Sequence, residues 1–125
     1  MNRLFYYLEI NQRLEELTKK QSELLNTLDK TKTQIKHKID EIADIQTEID
    51  WTNKNYDDLC KLYSESEIDG KLYQLTVTKF DLMEIQYDYT ETLNVYLAKA
   101  AEISSKILDL KMKLLELDRE AYFRE

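Results

Sequence analysis

A heptad repeat of apolar residues, with positions named a to g, is the feature that most constrains what this chain of 125 residues can fold into. A repeat of about 3.5 residues marks a helix that packs lengthwise against another helix. One frame of a and d positions runs through the first half of the chain, with the apolar members Tyr7, Ile10, Leu14, Leu17, Leu24, Leu28, Ile35, Ile42, Ile45, Ile49, Tyr56, Leu59 and Tyr63 and the polar members Gln21, Thr31, Lys38 and Thr52. A second frame runs through the other half, with the apolar members Leu72, Leu75, Leu82, Tyr89, Leu93, Tyr96, Ala100, Ile103, Ile107, Leu110, Leu114, Leu117 and Ala121 and the polar members Lys79 and Gln86. The sequence therefore predicts two long helices.

The two frames are out of phase, which predicts that the chain turns between them. The first frame has its last a position at Tyr63, and the second has its first at Leu72, nine residues later. In an unbroken helix, nine residues would carry the apolar positions about 180° around, onto the opposite face. A break lets the second helix fold back so that the two apolar faces meet. The alternative is one continuous rod with two binding faces.

The segment Ser64–Gly70 is the turn-like sequence between the frames. Gly70 is the only glycine of the chain, and glycine gives the backbone freedom to turn. Ser66 or Asp69 is predicted to cap the second helix. The predicted fold is all-α, an antiparallel two-helix coiled-coil hairpin in a single domain. Its helix 1 is expected at about 3–63, its loop at 64–70 and its helix 2 at about 71–123.

The composition agrees with two long helices. The chain has no proline, and 34% of its residues are charged while 42% are hydrophobic. Few helix breakers and many good helix formers are typical of coiled-coil chains. Folding about the predicted loop would place Leu28 opposite Ile107 and Ile42 opposite Leu93, so that large apolar residues meet along the hairpin.

The second helix carries more apolar surface than one neighbour needs. Its a, d, e and b positions together cover roughly 160° of the helix surface, whereas one partner helix needs only the a and d positions. We therefore expect the hairpin to belong to a larger helical bundle or oligomer. The extra apolar surface would contact a third helix, a second copy or a different protein. The predicted partner-binding residues of this surface are Tyr73, Phe80, Met83, Tyr87, Leu97, Leu108, Leu115 and Tyr122.

Aromatic residues outside the repeat are further candidates for partner binding. Trp51 occupies a c position of the first helix, where it either packs on the flank of its own hairpin or anchors a partner. Phe5 and Tyr6 belong to an apolar N-terminal segment that either closes the hydrophobic core or docks a partner. With Tyr122 and Phe123 they are expected to form an apolar open end.

The sequence lacks the residue sets that enzymes use. His37 is the only histidine and lies at a polar c position, and Cys60 is the only cysteine. No inward Glu-x-x-His pattern and no glycine-rich phosphate loop occurs. We therefore predict a non-enzymatic protein without catalytic, cofactor-binding or metal-binding residues.

Charge and hydropathy limit the partners and the compartment. A net charge of −7 opposes nucleic-acid binding, which needs a concentrated positive patch. No apolar run approaches the roughly 20 residues of a membrane span. The start of the chain also lacks the features of a secretory signal. An intracellular (cytoplasmic) or virion-associated protein is the expectation, with the compartment itself unknown.

A second class of function is implied by two resemblances. The residues Tyr63, Ile68, Phe80 and Tyr87 are spaced as in the turn and following helix of TolC-type outer-membrane efflux proteins, which this stretch resembles, with Ser66 where that family's turn has a glycine. That resemblance implies a helical segment of a TolC-like channel protein.

The layout of two long helices around one loop is similar to the stalk-like coiled-coil hairpins of flagellar and type III export machinery. That likeness implies a chaperone or export-stalk protein that binds a client. From the residues themselves, we expect a structural or adaptor subunit that mediates protein–protein assembly with a second copy or another helical subunit.

Overall fold

The protein is all-α, and its two long helices pack against each other. The structure, a computed structural model, describes residues 2–124, with side chains described from Arg3 to Ala121. Helix α1 spans Asn2–Lys54, the short helix α2 spans Tyr56–Leu59, and helix α3 spans Glu65–Arg124. The described residues contain no strand. Because α1 packs against α3, the predicted helical hairpin is confirmed.

The a and d positions form the seam between α1 and α3. Every a and d residue from Tyr7 to Leu59 in the first frame, and from Leu72 to Ala121 in the second, is buried or half-buried. Six of the most buried side chains occupy a or d positions: Ile10, Leu28, Thr31, Thr52, Ile107 and Leu110. The other, Ile68, extends the second frame by one heptad before Leu75. Among the described residues, none is less than 2% exposed. The core is therefore a thin seam, and its stability is spread along its length.

The predicted end of the first helix, near 63, was wrong. Helix α1 ends at Lys54, and Asn55 follows with φ −104° and ψ 18°. The Asn55 side chain donates a hydrogen bond from Nδ2 to the carbonyl oxygen of Trp51, at 2.8 Å. The Asn55 backbone N–H donates to the same oxygen at 3.0 Å, so Asn55 supplies two donors at the end of α1. Asparagine side chains often bond to nearby backbone groups in this way at the ends of helices. The single turn of α2 keeps Leu59 at the seam. The heptad pattern therefore continues beyond Lys54, where α1 ends.

The predicted loop at 64–70 was also wrong, because most of it is helical. Ser64 caps α3: its Oγ accepts a hydrogen bond from the Glu67 N–H at 3.2 Å. The sequence Ser64-Glu-Ser-Glu67 has the spacing of a capping box, and acidic residues in the first turn favour the helix dipole. The predicted caps Ser66 and Asp69 instead lie inside the helix. Gly70 also lies inside α3, with no positive φ.

The earlier turn changes which residues face each other. Gln21 Nε2 donates to Ser104 Oγ at 2.6 Å, whereas the predicted register would have placed Leu114 opposite Gln21. Near the turn, Glu48 Oε1 lies 3.5 Å from Lys71 Nζ. The residues of α3 that face α1 are therefore displaced by about three helical turns from the predicted pairing. The displacement follows from the turn lying at 55–64 rather than 64–70.

The chain divides into two compact units. The terminal unit consists of Met1–Lys30 and Leu93–Glu125. Within it, Arg3 Nη2 and Glu120 Oε2 form an ion pair at 3.4 Å. The turn unit consists of Thr31–Thr92. Within it, the Tyr56 hydroxyl donates to Asp69 Oδ1 at 3.0 Å and so ties α2 to the first turns of α3.

Candidate functional site

A cluster of large apolar side chains lies on α3 in the turn unit. We call it the aromatic cluster: Tyr73, Val77, Phe80, Met83 and Tyr87. Their spacings of three and four residues place them on one side of the helix, at the b, e and f positions. Each is between 40% and 72% exposed, so none belongs to the seam with α1. The predicted partner-binding residues Tyr73, Phe80, Met83 and Tyr87 therefore lie together in this cluster and are exposed to solvent.

Helix α1 adds one exposed aliphatic residue to the same side of the turn unit. Ile39 occupies an e position of α1 and is exposed. In an antiparallel pair of helices, e positions of one helix adjoin e positions of the other, and Met83 occupies an e position of α3. From this general geometry we expect Ile39 to lie beside the aromatic cluster. Sequence reasoning did not include Ile39 among the partner-binding residues.

The hydroxyl of Tyr87 is tied to its own helix. A hydrogen bond to the Glu91 side chain raises the pKa of Tyr87 above its ordinary value, and the Glu91 charge, desolvation and Asp88 act in the same direction. The polar end of this side chain thus has a partner one turn along. Its ring remains exposed, so the apolar part of Tyr87 is what the cluster presents.

A second cluster lies on α3 in the terminal unit. We call it the leucine cluster: Leu97, Leu108, Met112 and Leu115, all of them exposed. These residues occupy the same b, e and f positions as the aromatic cluster. Met112 was missed by sequence reasoning because only b and e positions were considered. The predicted Tyr122 lies outside the residues whose side chains are described.

Charge is distributed unevenly around α3. From Tyr73 to Leu115, the e, b and f positions carry three charged residues: Glu84, Glu91 and Lys111. The c and g positions of the same stretch carry seven: Asp81, Asp88, Lys99, Glu102, Lys106, Asp109 and Lys113. A helix side that faces water is normally charged or polar. We call the e, b and f positions the apolar side of α3, and its composition is that of a contact surface.

Trp51 lies at a different place in the turn unit. It is 57% exposed and borders a groove of about 480 Å³ beside the turn. The residues that line this groove are Glu48, Trp51, Thr52, Leu59, Tyr63, Glu67, Ile68 and Lys71. No residue of the aromatic cluster is among them. The structure therefore does not bring Trp51 together with the predicted surface of α3.

The N-terminal aromatics are exposed in the terminal unit. Phe5 and Tyr6 are both more than half exposed, as are Leu4 and Leu8 on either side of them. Tyr6 also borders a shallow groove that includes Ile10 and residues of α3. The predicted open end needs Tyr122 and Phe123, whose side chains are not among those described. The predicted partner-binding role of Phe5 and Tyr6 stays a prediction.

Metal-binding groups, the Cys60 thiol and membrane-spanning helices were considered in turn for the described residues. None of their His, Cys, Asp and Glu side chains form a group of three or more that could hold a metal ion. Desolvation raises the pKa of the Cys60 thiol, and the charges of Glu65, Asp57 and Asp69 raise it further. A protonated thiol is a poor nucleophile. No helix within the described range is long and apolar enough to cross a membrane.

Both clusters consist of side chains on helix α3, whose bounds are Glu65–Arg124. Within each cluster taken by itself, the helical spacing of the side chains suits lengthwise contact with another helix. Comparisons of the chain with protein-family models, with curated proteins and with solved structures gave no match.

Proposed function

We propose that the protein is a non-enzymatic coiled-coil subunit that mediates protein–protein assembly through the apolar side of α3. The observation that carries this proposal is the aromatic cluster, which is exposed on a side of α3 that has few charges. Burying on the order of 100 Å² of each of its five side chains would contribute roughly 2 kcal/mol apiece before the costs of association.

The form of the surface favours a helical partner over a small ligand. Small-molecule sites are concave and enclose most of their ligand. The aromatic cluster is instead a row of side chains at helical spacing, which matches the ridge-and-groove packing of two helices. Tyr and Phe in such a row are also the residue types that dominate the energetics of protein interfaces.

Site-specific photo-crosslinking tests the proposal and captures the partner in the same step. A benzophenone amino acid would replace Phe80 or Tyr87, and a matched control would replace Ile85. Ile85 is also apolar and exposed in the turn unit, but it occupies a g position on the charged side of α3. We expect covalent adducts from positions 80 and 87 and few from position 85. Equal adducts from all three positions, or none from any, would contradict the proposal.

The adducts also distinguish a structural subunit from the client-binding alternatives. A subunit of a stable assembly should give one adduct of fixed mass from each position. A chaperone or export stalk that binds several clients should give adducts of several masses whose yield depends on which clients are present.

A further inference from the structure

We propose that the groove beside the turn binds an arginine side chain of a partner protein, with the guanidinium against the ring of Trp51 and bonded to the carboxylate of Glu67. Every residue that lines this groove lies in the turn unit, and none belongs to the aromatic cluster. Binding in the groove is therefore independent of contact along α3, and it adds a second site of protein interaction.

Side chains from α1, α2 and α3 form the groove. Helix α1 contributes Trp51, α2 contributes Leu59, and α3 contributes Ile68 and Glu67, while Tyr63 lies between α2 and α3. The volume of about 480 Å³ falls within the range of ligand sites, roughly 300–1,000 Å³. Leu59 and Ile68 are the more buried of these side chains. Their apolar surface suits the aliphatic stem of a long basic side chain and the apolar neighbours of that side chain in a protein segment.

Two exposed aromatic rings line the groove, and among the described residues no cation lies over either ring. Trp51 is 57% exposed and Tyr63 is 55% exposed. In the described part of the chain, such a contact is made by Lys99 over the ring of Tyr96, in the terminal unit. Tryptophan attracts cations more strongly than the other aromatic residues, and arginine suits it because its planar guanidinium is weakly hydrated and stacks on the ring. Both rings therefore remain open to a cation from another molecule.

The two carboxylates of the groove differ in what they already bind. Glu48 Oε1 lies 3.5 Å from Lys71 Nζ, so these two charges offset each other. The Glu67 carboxylate has no hydrogen bond or ion pair with any residue that the structure describes, although the Glu67 backbone N–H is bound by Ser64. A carboxylate accepts two parallel N–H groups of a guanidinium in a charge-assisted pair. Glu67 therefore offers the acceptor that an arginine beside the rings requires.

The charge of the whole turn favours a cation over an anion or a neutral group. Residues 48–71 carry seven acidic side chains and three basic ones. Two of the three basic side chains are already paired: Lys61 lies 3.4 Å from Asp58, and Lys71 is paired with Glu48. An excess of one sign attracts ligands of the opposite sign and disfavours those of the same sign. A basic side chain therefore complements the groove better than an apolar or acidic one.

An NMR titration with two matched peptides tests this inference. The probe is a tripeptide of arginine between two leucines with both ends blocked, so that the guanidinium is its only charge. The control peptide carries citrulline, which has nearly the shape of arginine but no charge. Binding is followed at the indole N–H signal of Trp51, the only tryptophan. We expect a Kd of roughly 1 mM for the arginine peptide and about tenfold weaker binding of the citrulline peptide, because a neutral group loses both the ring attraction and the charge-assisted bond.

Charge variants of the protein locate the contact. Glu67→Gln should weaken binding of the arginine peptide by about fivefold or more, because it removes the charged acceptor. Glu65→Gln is the matched control: it also removes one charge from the first turn of α3, but residue 65 does not line the groove. It should change the Kd by less than about twofold, since exposed charges at a distance are screened. Both variants lose a similar interaction with the helix dipole, and circular dichroism checks that both keep their helicity.

Three outcomes would overturn the inference. Equal binding of the arginine and citrulline peptides would show that the groove recognises apolar groups alone. Equal losses in Glu67→Gln and Glu65→Gln would assign the effect to the general charge of the turn. The third is an unmoved Trp51 signal at about 10 mM arginine peptide, roughly ten times the expected Kd. None of these outcomes alters the photo-adducts expected from positions 80 and 87, so this inference and the proposed function can fail separately.

Discussion

At the scale of single residues, Ser64 determines where α3 begins. Its hydroxyl accepts a hydrogen bond from the Glu67 N–H, one of the first N–H groups of α3, which have no partner within the helix. Its carbonyl oxygen also accepts the Ile68 N–H at 3.2 Å. Ile68 is the first buried residue of α3, so the cap fixes the start of the helix at the place where the seam resumes.

The cap gives a prediction for stability. Ser64→Ala should lower the free energy of unfolding by about 1 kcal/mol, because the Glu67 N–H loses its acceptor. Ser66→Ala, two residues later in the first turn of α3, is the matched control and should change it by less than about 0.5 kcal/mol. Urea denaturation followed by circular dichroism measures both. The opposite order of the two effects would place the cap at Ser66.

A substitution at Gly70 is predicted to raise the free energy of unfolding, whereas Ser64→Ala lowers it. It lies in the interior of α3, and a methyl group added there would meet no atom within 4 Å. Gly70→Ala should therefore raise the free energy of unfolding by roughly 0.5–1 kcal/mol, through higher helix propensity and a less flexible unfolded chain. The reverse change at an exposed site of the same helix, Ala98→Gly, should lower it by a similar amount. A loss of stability in Gly70→Ala would show that residue 70 must turn.

The bond between Tyr56 and Asp69 predicts a pH dependence. The hydrogen bond to the Asp69 side chain, with desolvation and the charges of Asp69, Cys60 and Glu65, raises the pKa of Tyr56 to about 12 from an ordinary 10.0. Because the folded pKa is the higher one, this contribution to stability is complete below pH 10 and is lost as the pH rises through 12.

The pKa itself can be measured by NMR titration of the Tyr56 ring carbon that bears the hydroxyl. We expect Asp69→Asn to lower the pKa of Tyr56 toward its ordinary value, because the variant removes the carboxylate that binds the hydroxyl. Asp57→Asn, which removes a neighbouring charge without a bond to Tyr56, should leave it unchanged. An equal shift in both variants would mean that general charge, and not the hydrogen bond, sets the pKa.

At the scale of elements, the sequence predicted the helices and their seam well but misplaced the turn. Apolar periodicity reports which residues face a neighbour, and the a and d positions are indeed the buried ones. Periodicity does not report the continuity of the backbone. Leu59 keeps its place in the seam although α1 has already ended at Lys54. The repeat therefore concealed the break.

The residue types around the turn, and not the apolar repeat, indicate where the turn lies. Gly70 was read as the breaker because glycine is flexible, but an isolated glycine is tolerated in a long helix that is supported by packing. The Ser64-x-x-Glu67 spacing of a capping box was the better signal for the start of α3. The exposed surface was easier to predict, since residues that a thin seam cannot cover must face outward. Val77, Met112 and Ile39 were missed. The predicted surface was limited to the b and e positions of α3, whereas Val77 and Met112 occupy f positions and Ile39 lies on α1.

At the scale of the whole molecule, the apolar side of α3 predicts that stability depends on concentration. Burial of that side requires association, and association stabilises the folded state by mass action. The Tm should therefore rise over a hundredfold increase in protein concentration. Phe80→Glu with Tyr87→Glu should keep the helicity and lose this dependence, because both side chains lie outside the seam.

The control for that variant places the same charges on the other side of α3. Ile85→Glu with Val95→Glu replaces two exposed apolar residues at g and c positions and should keep the concentration dependence. Unfolding of Phe80→Glu with Tyr87→Glu at every concentration would instead assign these residues to the core of the hairpin itself.

The position of Trp51, the only tryptophan of the chain, makes its fluorescence a selective probe. The indole borders the groove beside the turn, and no residue of the aromatic cluster lines that groove. Contact along α3 should leave the emission spectrum and its quenching by acrylamide unchanged. A molecule that enters the groove should shift the emission to the blue and protect it from quenching. Trp51 fluorescence can therefore distinguish binding in the groove from binding at the aromatic cluster.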